Sequence, residues 1–279
     1  MTQENLSQAP IGIFDSGYGG LTILSEIRRT LPQYDYIYLG DNARAPYGTR
    51  SFEIVYRFTL EAVQYLFNQG CQLVILACNT ASAKALRSIQ QRDLPHIDPN
   101  RRVLGVIRPT VEILDTITHN GHIGLLGTPG TINSESYTAE VAKLYPQYTV
   151  HGQACPLWVP LIENNEINSE GTDYFVKKYI DELLAQSNLI DTVILGCTHY
   201  PMLYHLIHKH LPPHIKILSQ GGLVANSLKD YLHRHPEIEQ KCSRNGGCTF
   251  LTTESSNKFT ETATLFLQDT ITAQQIELG

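Results

Sequence analysis

No apolar run in the 279 residues approaches the ~18 to 20 needed to span a bilayer. The opening stretch, MTQENLSQAP, has neither the basic nor the apolar segment of a secretory leader. Both absences predict a cytoplasmic protein. In a reducing compartment the six cysteines are thiols, buried fillers or metal ligands rather than a disulfide framework. Metal-binding patterns are missing as well, since there is no C-x-x-C pair and no H-E-x-x-H. The nearest approach is Cys242 and Cys248 across CSRNGGC, with His233 and His235 nearby, a spacing outside common zinc knuckles, so no metal is expected. The glycine-rich DSGYGG at 15–20 lacks the spacing of both G-x-G-x-x-G and G-x-x-x-x-G-K-[ST], which leaves a nucleotide site weakly supported. There is no basic excess either. A net charge of −6 argues against a duplex nucleic-acid partner but leaves room for a small anionic substrate held in a local pocket of donors.

What is present is an ordinary globular composition, 42% hydrophobic and 17% charged, long enough for one or two domains. Short apolar runs alternate with segments of helical period. IGIFD (11–15) precedes a helical pattern over 21–31, and YDYIYLGDN (34–42) precedes one over 51–69 that opens on Ser51 and stops at Gly70. LVILA precedes a helix over NTASAKALRSIQQ, and VLGVI (103–107) reads as the next strand. The order then begins again: IGLL (123–126), a helix over 133–145, the strand YTVHGQAC, a loop or short helix in PLWVPLIENNE, a helix over 171–187, and the strands TVILGC and IKILS (215–219). The last sixty residues read as a helix, one strand (CTFLTT) and a closing helix. This alternation predicts an α/β fold with parallel sheets.

The chain also repeats itself. GIFDSGYGG corresponds to GLLGTPGT, and VILACNTAS to VILGCTHYP. Two halves of about a hundred residues would each place one cysteine, Cys78 or Cys197, at the C-terminal end of a strand, the edge where parallel sheets bind ligands. Either cysteine alone reads as a buried filler, as do Cys71 and Cys155. As a pair they read differently, because Asn79–Thr80 and Thr198–His199 follow them as helix starts whose N–H groups stabilise a thiolate or a substrate carboxylate. Asp15, at the tip of the first strand with Ser16 beside it, either faces the cleft or caps the following helix. His199 either caps a helix or tunes the Cys197 thiol. Pro46, Tyr47 and Gly48 read locally as a turn, and Glu163 as surface.

FDSGYGGLT, GDNARAPYGTRS, ACNTASA, GTPGT, ACPLWVPLIE and LGCTHYPML, in order over about residues 11–203, resemble the glutamate racemases. These are cofactor-independent enzymes of bacterial cell-wall synthesis within the aspartate/glutamate racemase superfamily. The resemblance implies two pseudo-symmetric α/β domains, each a parallel-rich sheet flanked by helices, with the active site in the cleft between them. Residues 1–105 with 220–279 would form the first domain and 106–219 the second. It implies a two-base reaction in which Cys78 deprotonates D-glutamate and Cys197 deprotonates L-glutamate, supplying D-glutamate for peptidoglycan. Asp15 and Ser16 would hold the ammonium side, and His199 and Glu163 would assist proton transfer. Pro46, Tyr47, Gly48, Asn79, Thr80, Thr128, Thr131 and Thr198 would contact the substrate, its carboxylates held by neutral donors. No cofactor is implied, and the implied oligomer is a homodimer. Two places depart from the family pattern: Arg108 in GVIRPT, and LSQGG at 218–222 where an Asp-containing turn is usual. Rival readings are an aspartate or hydantoin racemase, a one-cysteine decarboxylase, and a regulatory binding protein with a racemase-like cleft. The intact cysteine pair counts against the decarboxylase.

Overall fold

In the computed structural model, residues 8–267 and 270–279 are described. The leader reading of residues 1–7, and the part of the first domain they would form, lie outside the described residues. Two parallel sheets organise the chain. The first has the order β10-β9-β2-β1-β3-β4 and the second β6-β5-β7-β8. Its strands are β1 (Ile11–Asp15), β2 (Tyr36–Gly40), β3 (Leu73–Leu76) and β4 (Arg102–Gly105), joined late in the chain by β9 (Cys248–Thr252) and β10 (Ala273–Gln275). The second sheet holds β5 (His122–Gly127), β6 (Thr149–Ala154), β7 (Thr192–Gly196) and β8 (Lys216–Leu218). The order 2-1-3-4 recurs as 6-5-7-8, so the sequence repeat is a repeat of topology. Every residue of β1, β2, β3 and β7 is buried, as expected of strands covered on both faces.

Helices supply those covers. One face of the first sheet packs against α1 (Leu21–Thr30), and the other against α2 (Phe52–Asn68) and α3 (Asn79–Lys84). Ser51 Oγ accepts the Ile54 N–H to start α2, and Gly70, at φ +94°, turns the chain after it. The predicted single helix after Cys78 is broken. Following α3 come α4 (Leu86–Ser88), a π turn at Ile89–Asp93 in which the Leu94 N–H bonds Ile89 O, and α5 (Leu94–Ile97). Pro95 offers no N–H to the residue four before it, so a regular α ladder cannot run through.

The strand predicted over 103–107 stops at Gly105, because Pro109 suits a first helical turn and α6 (Ile107–Glu112) begins there. α7 (Pro129–Asn133) and α8 (Ser136–Leu144) follow β5, and α9 (Trp158–Glu163) and α10 (Glu170–Leu184) follow β6. α11 (Tyr204–His210) leads to β8, whose end carries the chain into α12 (Gly221–Arg234), which packs beside α1 in the core on that face of the first sheet. After α13 (Pro236–Glu239) and β9, α14 (Ser256–Leu267) lies against α1. The chain does not close on a helix as predicted: Ala273–Gln275 adds an edge strand beside β9. Arg108 lies in α6 and pairs with Glu112 and Glu140 at 2.8 Å each.

Candidate active site

Because both sheets are parallel, each presents all its strand C-termini along one edge. From those edges Ser16, Tyr47, Cys78, Thr80, Thr128, Cys197 and His199 converge on one small cavity of about 80 Å³, closed on one side by Pro160 and Glu163. A larger cavity of about 510 Å³ lies among α3, α6, α8 and α12, but it contains no thiol. Its Arg108 and Lys143 are already paired with Glu112 and Glu140. The paired thiols are in the smaller one.

The two cysteines enter it from equivalent strands with different company. Cys78 caps α3: its Sγ accepts the Ala81 N–H at 3.4 Å, and its thiol donates to Ser16 Oγ at 3.4 Å. The helix start was expected to lower this thiol, and here it does not. Burial and the nearby Asp15 carboxyl push Cys78 up to about 12, outweighing its contact with Ser16 and the hydrogen bond from the Ala81 N–H. Cys197 is followed not by an α-helix but by a 3₁₀ turn at Tyr200–Leu203, and its partner is an imidazole. His199 Nδ1 lies 3.8 Å from Cys197 Sγ, while Nε2 lies 2.9 Å from Glu163 Oε1 on the last residue of α9. Burial works against charging His199, yet its hydrogen bonds to Cys197 and Glu163 prevail and raise it to about 10. Phe266 of α14 meets the imidazole edge-on, ring centres 5.7 Å apart.

Asp15 stands one layer behind the cavity and does not line it. It is fully buried, with Oδ2 accepting the Gly17 N–H at 2.9 Å and Oδ1 accepting from Thr198 Oγ1 at 3.4 Å. Burial raises its carboxyl against the pull of His199. So the cleft-facing reading of Asp15 fails, and the carboxylate instead ties its own turn to the Cys197 turn. The DSGYGG glycines serve that same approach. A Cβ on Gly19 would lie 2.3 Å from Thr198 Oγ1 and 2.4 Å from His199 Nδ1, and none of the three glycines has positive φ.

Around the rest of the wall, Thr80 Oγ1 meets Thr128 Oγ1 at 2.9 Å and Thr131 Oγ1 at 3.3 Å, so hydroxyls of both halves cluster. Thr131 sits behind the other two, outside the lining. Gly48 lets the PYG loop touch the second half. Its carbonyl accepts the Gly130 N–H at 2.7 Å, and a Cβ there would lie 2.7 Å from that of Thr128. Pro46 lines the mouth, and buried Tyr47 donates its hydroxyl to Asp41.

Asn79 also lines the cavity, but its side chain is engaged elsewhere, Nδ2 on Gln220 Oε1 and Oδ1 on the Tyr137 hydroxyl. Cys155, expected to be a filler, forms part of the wall. Asp41 escaped the sequence reading, although its place at the tip of β2 is the same signal that singled out Asp15. For the distant Cys242–Cys248 pair, Cys242 Sγ donates to Ile238 O, and among the described residues no group of three or more His, Cys, Asp or Glu gathers as a metal site.

A duplicated parallel-sheet fold brings one cysteine from each half to a shared buried pocket. The Asp/Glu/Hydantoin racemase family model matches residues 20–225. The glutamate racemase of Ruegeria sp. (strain TM1040) is 40% identical over 272 residues, covering 94% of this chain and 98% of its own. Among solved structures, the glutamate racemase of Bacillus anthracis superposes with a TM-score of 0.88 at 36% identity, covering 97% of this chain and 98% of that one. That of Francisella tularensis, in complex with D-glutamate, gives 0.86 at 32% with the same coverage. The chain belongs to the glutamate racemases of this family, and is an isomerase.

Proposed function

We propose that the chain interconverts L- and D-glutamate without a cofactor, through the two thiols, and supplies D-glutamate for peptidoglycan in the cytoplasm. The observation that carries this reading is that Cys78 and Cys197 share one enclosed pocket from topologically equivalent strand ends. Inversion of an α-carbon held in place needs a base on one face and an acid on the other. Cys197, as thiolate beside the His199 imidazolium, takes the α-proton of L-glutamate. The electron pair left on the α-carbon then takes the Cys78 thiol proton from the opposite face, giving D-glutamate and a Cys78 thiolate. The reverse reaction begins from that second state. Burial favours the neutral Cys78 thiol, the form that returns a proton in the L-to-D direction.

Hydroxyl and amide donors, Thr80, Thr128 and Thr198 with the Gly48 and Asn79 peptides, hold the carboxylates without the fixed cation that would over-stabilise the ground state. Among the described residues, those up to 105 with those from 220 onward, and residues 106–219, form the two units that close on the substrate, the chain crossing after β4 and returning after β8.

The test is exchange in D₂O with L-glutamate, without added cofactor. The parent is expected to lose optical rotation and take up deuterium at the α-carbon. Cys78→Ala and Cys197→Ala each lose racemisation by roughly 10³-fold or more. Full racemisation in either folded variant would sink the two-thiol mechanism.

A further inference from the structure

The turn at 218–222, where the sequence leaves its family pattern, puts Gln220 between β8 and α12, the point at which the chain returns from the second sheet to the first. Gln220 is 2% exposed, and its amide is fully used. Oε1 accepts from Asn79 Nδ2 at 2.6 Å, while Nε2 donates to the Tyr137 hydroxyl at 2.7 Å and to Thr110 Oγ1 at 2.8 Å. Tyr137 in turn donates to Asn79 Oδ1 at 2.7 Å. Asn79, Gln220 and Tyr137 therefore form a closed ring of three hydrogen bonds running in one direction, each group donor to the next and acceptor from the last. Such rings reinforce themselves, and burial makes a missing member costly. Thr110 extends the ring to the outgoing crossing, since its hydroxyl donates to Val106 O at 2.7 Å.

The ring is asymmetric with respect to the chemistry. Asn79 is the first residue of α3 and follows Cys78 directly, so the ring grips the turn whose Ala81 N–H reaches the thiol. None of its three members belongs to the segment around Cys197, whose thiol acts on the ring only at a distance, through its charge on Tyr137. We infer that Gln220 is a positioning residue for Cys78 alone: from the junction of the two halves, through Asn79, it sets the direction of that thiol. The inference rests on the two-thiol reading above for its catalytic consequence, but not for its geometry. Gln220→Leu keeps most of the volume and removes both the acceptor and the donors. Tyr137→Phe breaks the same ring at one bond and serves if the leucine variant does not fold.

Two readouts decide the matter. The first is the α-deuterium isotope effect on kcat/KM, measured with α-deuterated D-glutamate and with α-deuterated L-glutamate. In Gln220→Leu, kcat/KM falls by about 10-fold. The isotope effect rises for the D substrate, whose deuterium Cys78 removes, and falls for the L substrate. A change that merely unfolds a fraction of the enzyme moves neither isotope effect. The second readout needs no activity: alkylation by iodoacetamide, mapped cysteine by cysteine in the folded protein, speeds up on the order of 10-fold at Cys78 and is unchanged at Cys197. Unchanged isotope effects with unchanged alkylation in both variants would overturn the inference, as would equal acceleration at the two cysteines. A parent that does not racemise glutamate defeats the racemase reading instead, and the alkylation ratio still decides what Gln220 does.

Discussion

At His199 burial and hydrogen bonding compete, and the pH profile should record the outcome. Burial alone would lower the imidazole, while Cys197 at 3.8 Å and Glu163 at 2.9 Å raise it to about 10. Glu163→Gln keeps the shape of the contact and removes its charge, so the His199 value falls. The alkaline limb of kcat/KM for D-glutamate, near pH 10 in the parent, should move to lower pH in the variant. kcat should drop on the order of 10-fold, less than the roughly 10²–10⁴ of losing a proton-transfer group outright. Stability follows the same linkage. A folded value raised above the unfolded one stabilises fully below about 6.5 and loses that contribution as pH rises through about 10. Thermal unfolding from pH 6 to 10 should therefore show a steeper loss in the parent than in Glu163→Gln. An unmoved alkaline limb would mean that Glu163 does not hold the His199 proton.

Among the elements, the turn after β1 is the one most tightly wedged. The Thr22 hydroxyl at the start of α1 donates to Thr198 O at 3.0 Å, and the Tyr38 hydroxyl donates to Gly17 O at 2.9 Å, so the loop cannot back away from the Cys197 turn. Gly19→Ala would push a methyl into Thr198 and His199. It should cost about 1–3 kcal/mol by overpacking and abolish most activity by displacing His199. Gly222→Ala is the control. Its Cβ would meet only Glu26 Oε2, at 3.8 Å, and within α12 the change should gain about 0.4–1 kcal/mol with activity intact. Chemical denaturation and initial rates on both variants check the pair, and a fully active Gly19→Ala would refute the wedge.

Elements of this kind were legible to unequal degrees. β1, β3, β5 and β7 announce themselves because strands buried on both faces are unbroken apolar runs, and their repetition betrays the duplication. β10 does not, because three residues, AQQ, on a one-sided edge carry no pattern. The helix after Cys78 is interrupted first at Ala85, where nothing local marks a break, and then by the π turn at Ile89–Asp93, the only one of the two on which Pro95 bears. In the site, the cysteines stand out as a repeated pair with His199 beside one of them, whereas Glu163 reads locally as surface and enters only through the resemblance. The ring of Asn79, Tyr137 and Gln220 was not legible, since its contacts join residues 58 to 141 positions apart and nothing local marks them.

On the scale of the whole molecule, the cavity exists only where the halves meet, so a ligand there should stabilise both together. Thr80 follows β3 and Thr128 follows β5, yet their hydroxyls lie 2.9 Å apart, and either can turn to a carboxylate shared between the sheets. A ligand that binds only the folded state, present at 100 times its Kd, adds about 2.7 kcal/mol. For a chain of this size that is a rise in Tm of about 5 °C. D-Glutamate should give this rise as a displacement of the whole transition, because loosening either sheet dismantles the pocket. Thr80→Val, which keeps the volume and loses the donor, should cut the rise at equal ligand concentration, since a hydrogen bond to a charged acceptor contributes about 1.5–3 kcal/mol. Differential scanning calorimetry of the parent and Thr80→Val, with and without D-glutamate, decides the question. A rise confined to part of a split transition would place the ligand in one half, and a full rise in Thr80→Val would remove that hydroxyl from the carboxylate site. Either result would separate the seam from the binding step, whereas the threonine contact across it requires that the two coincide.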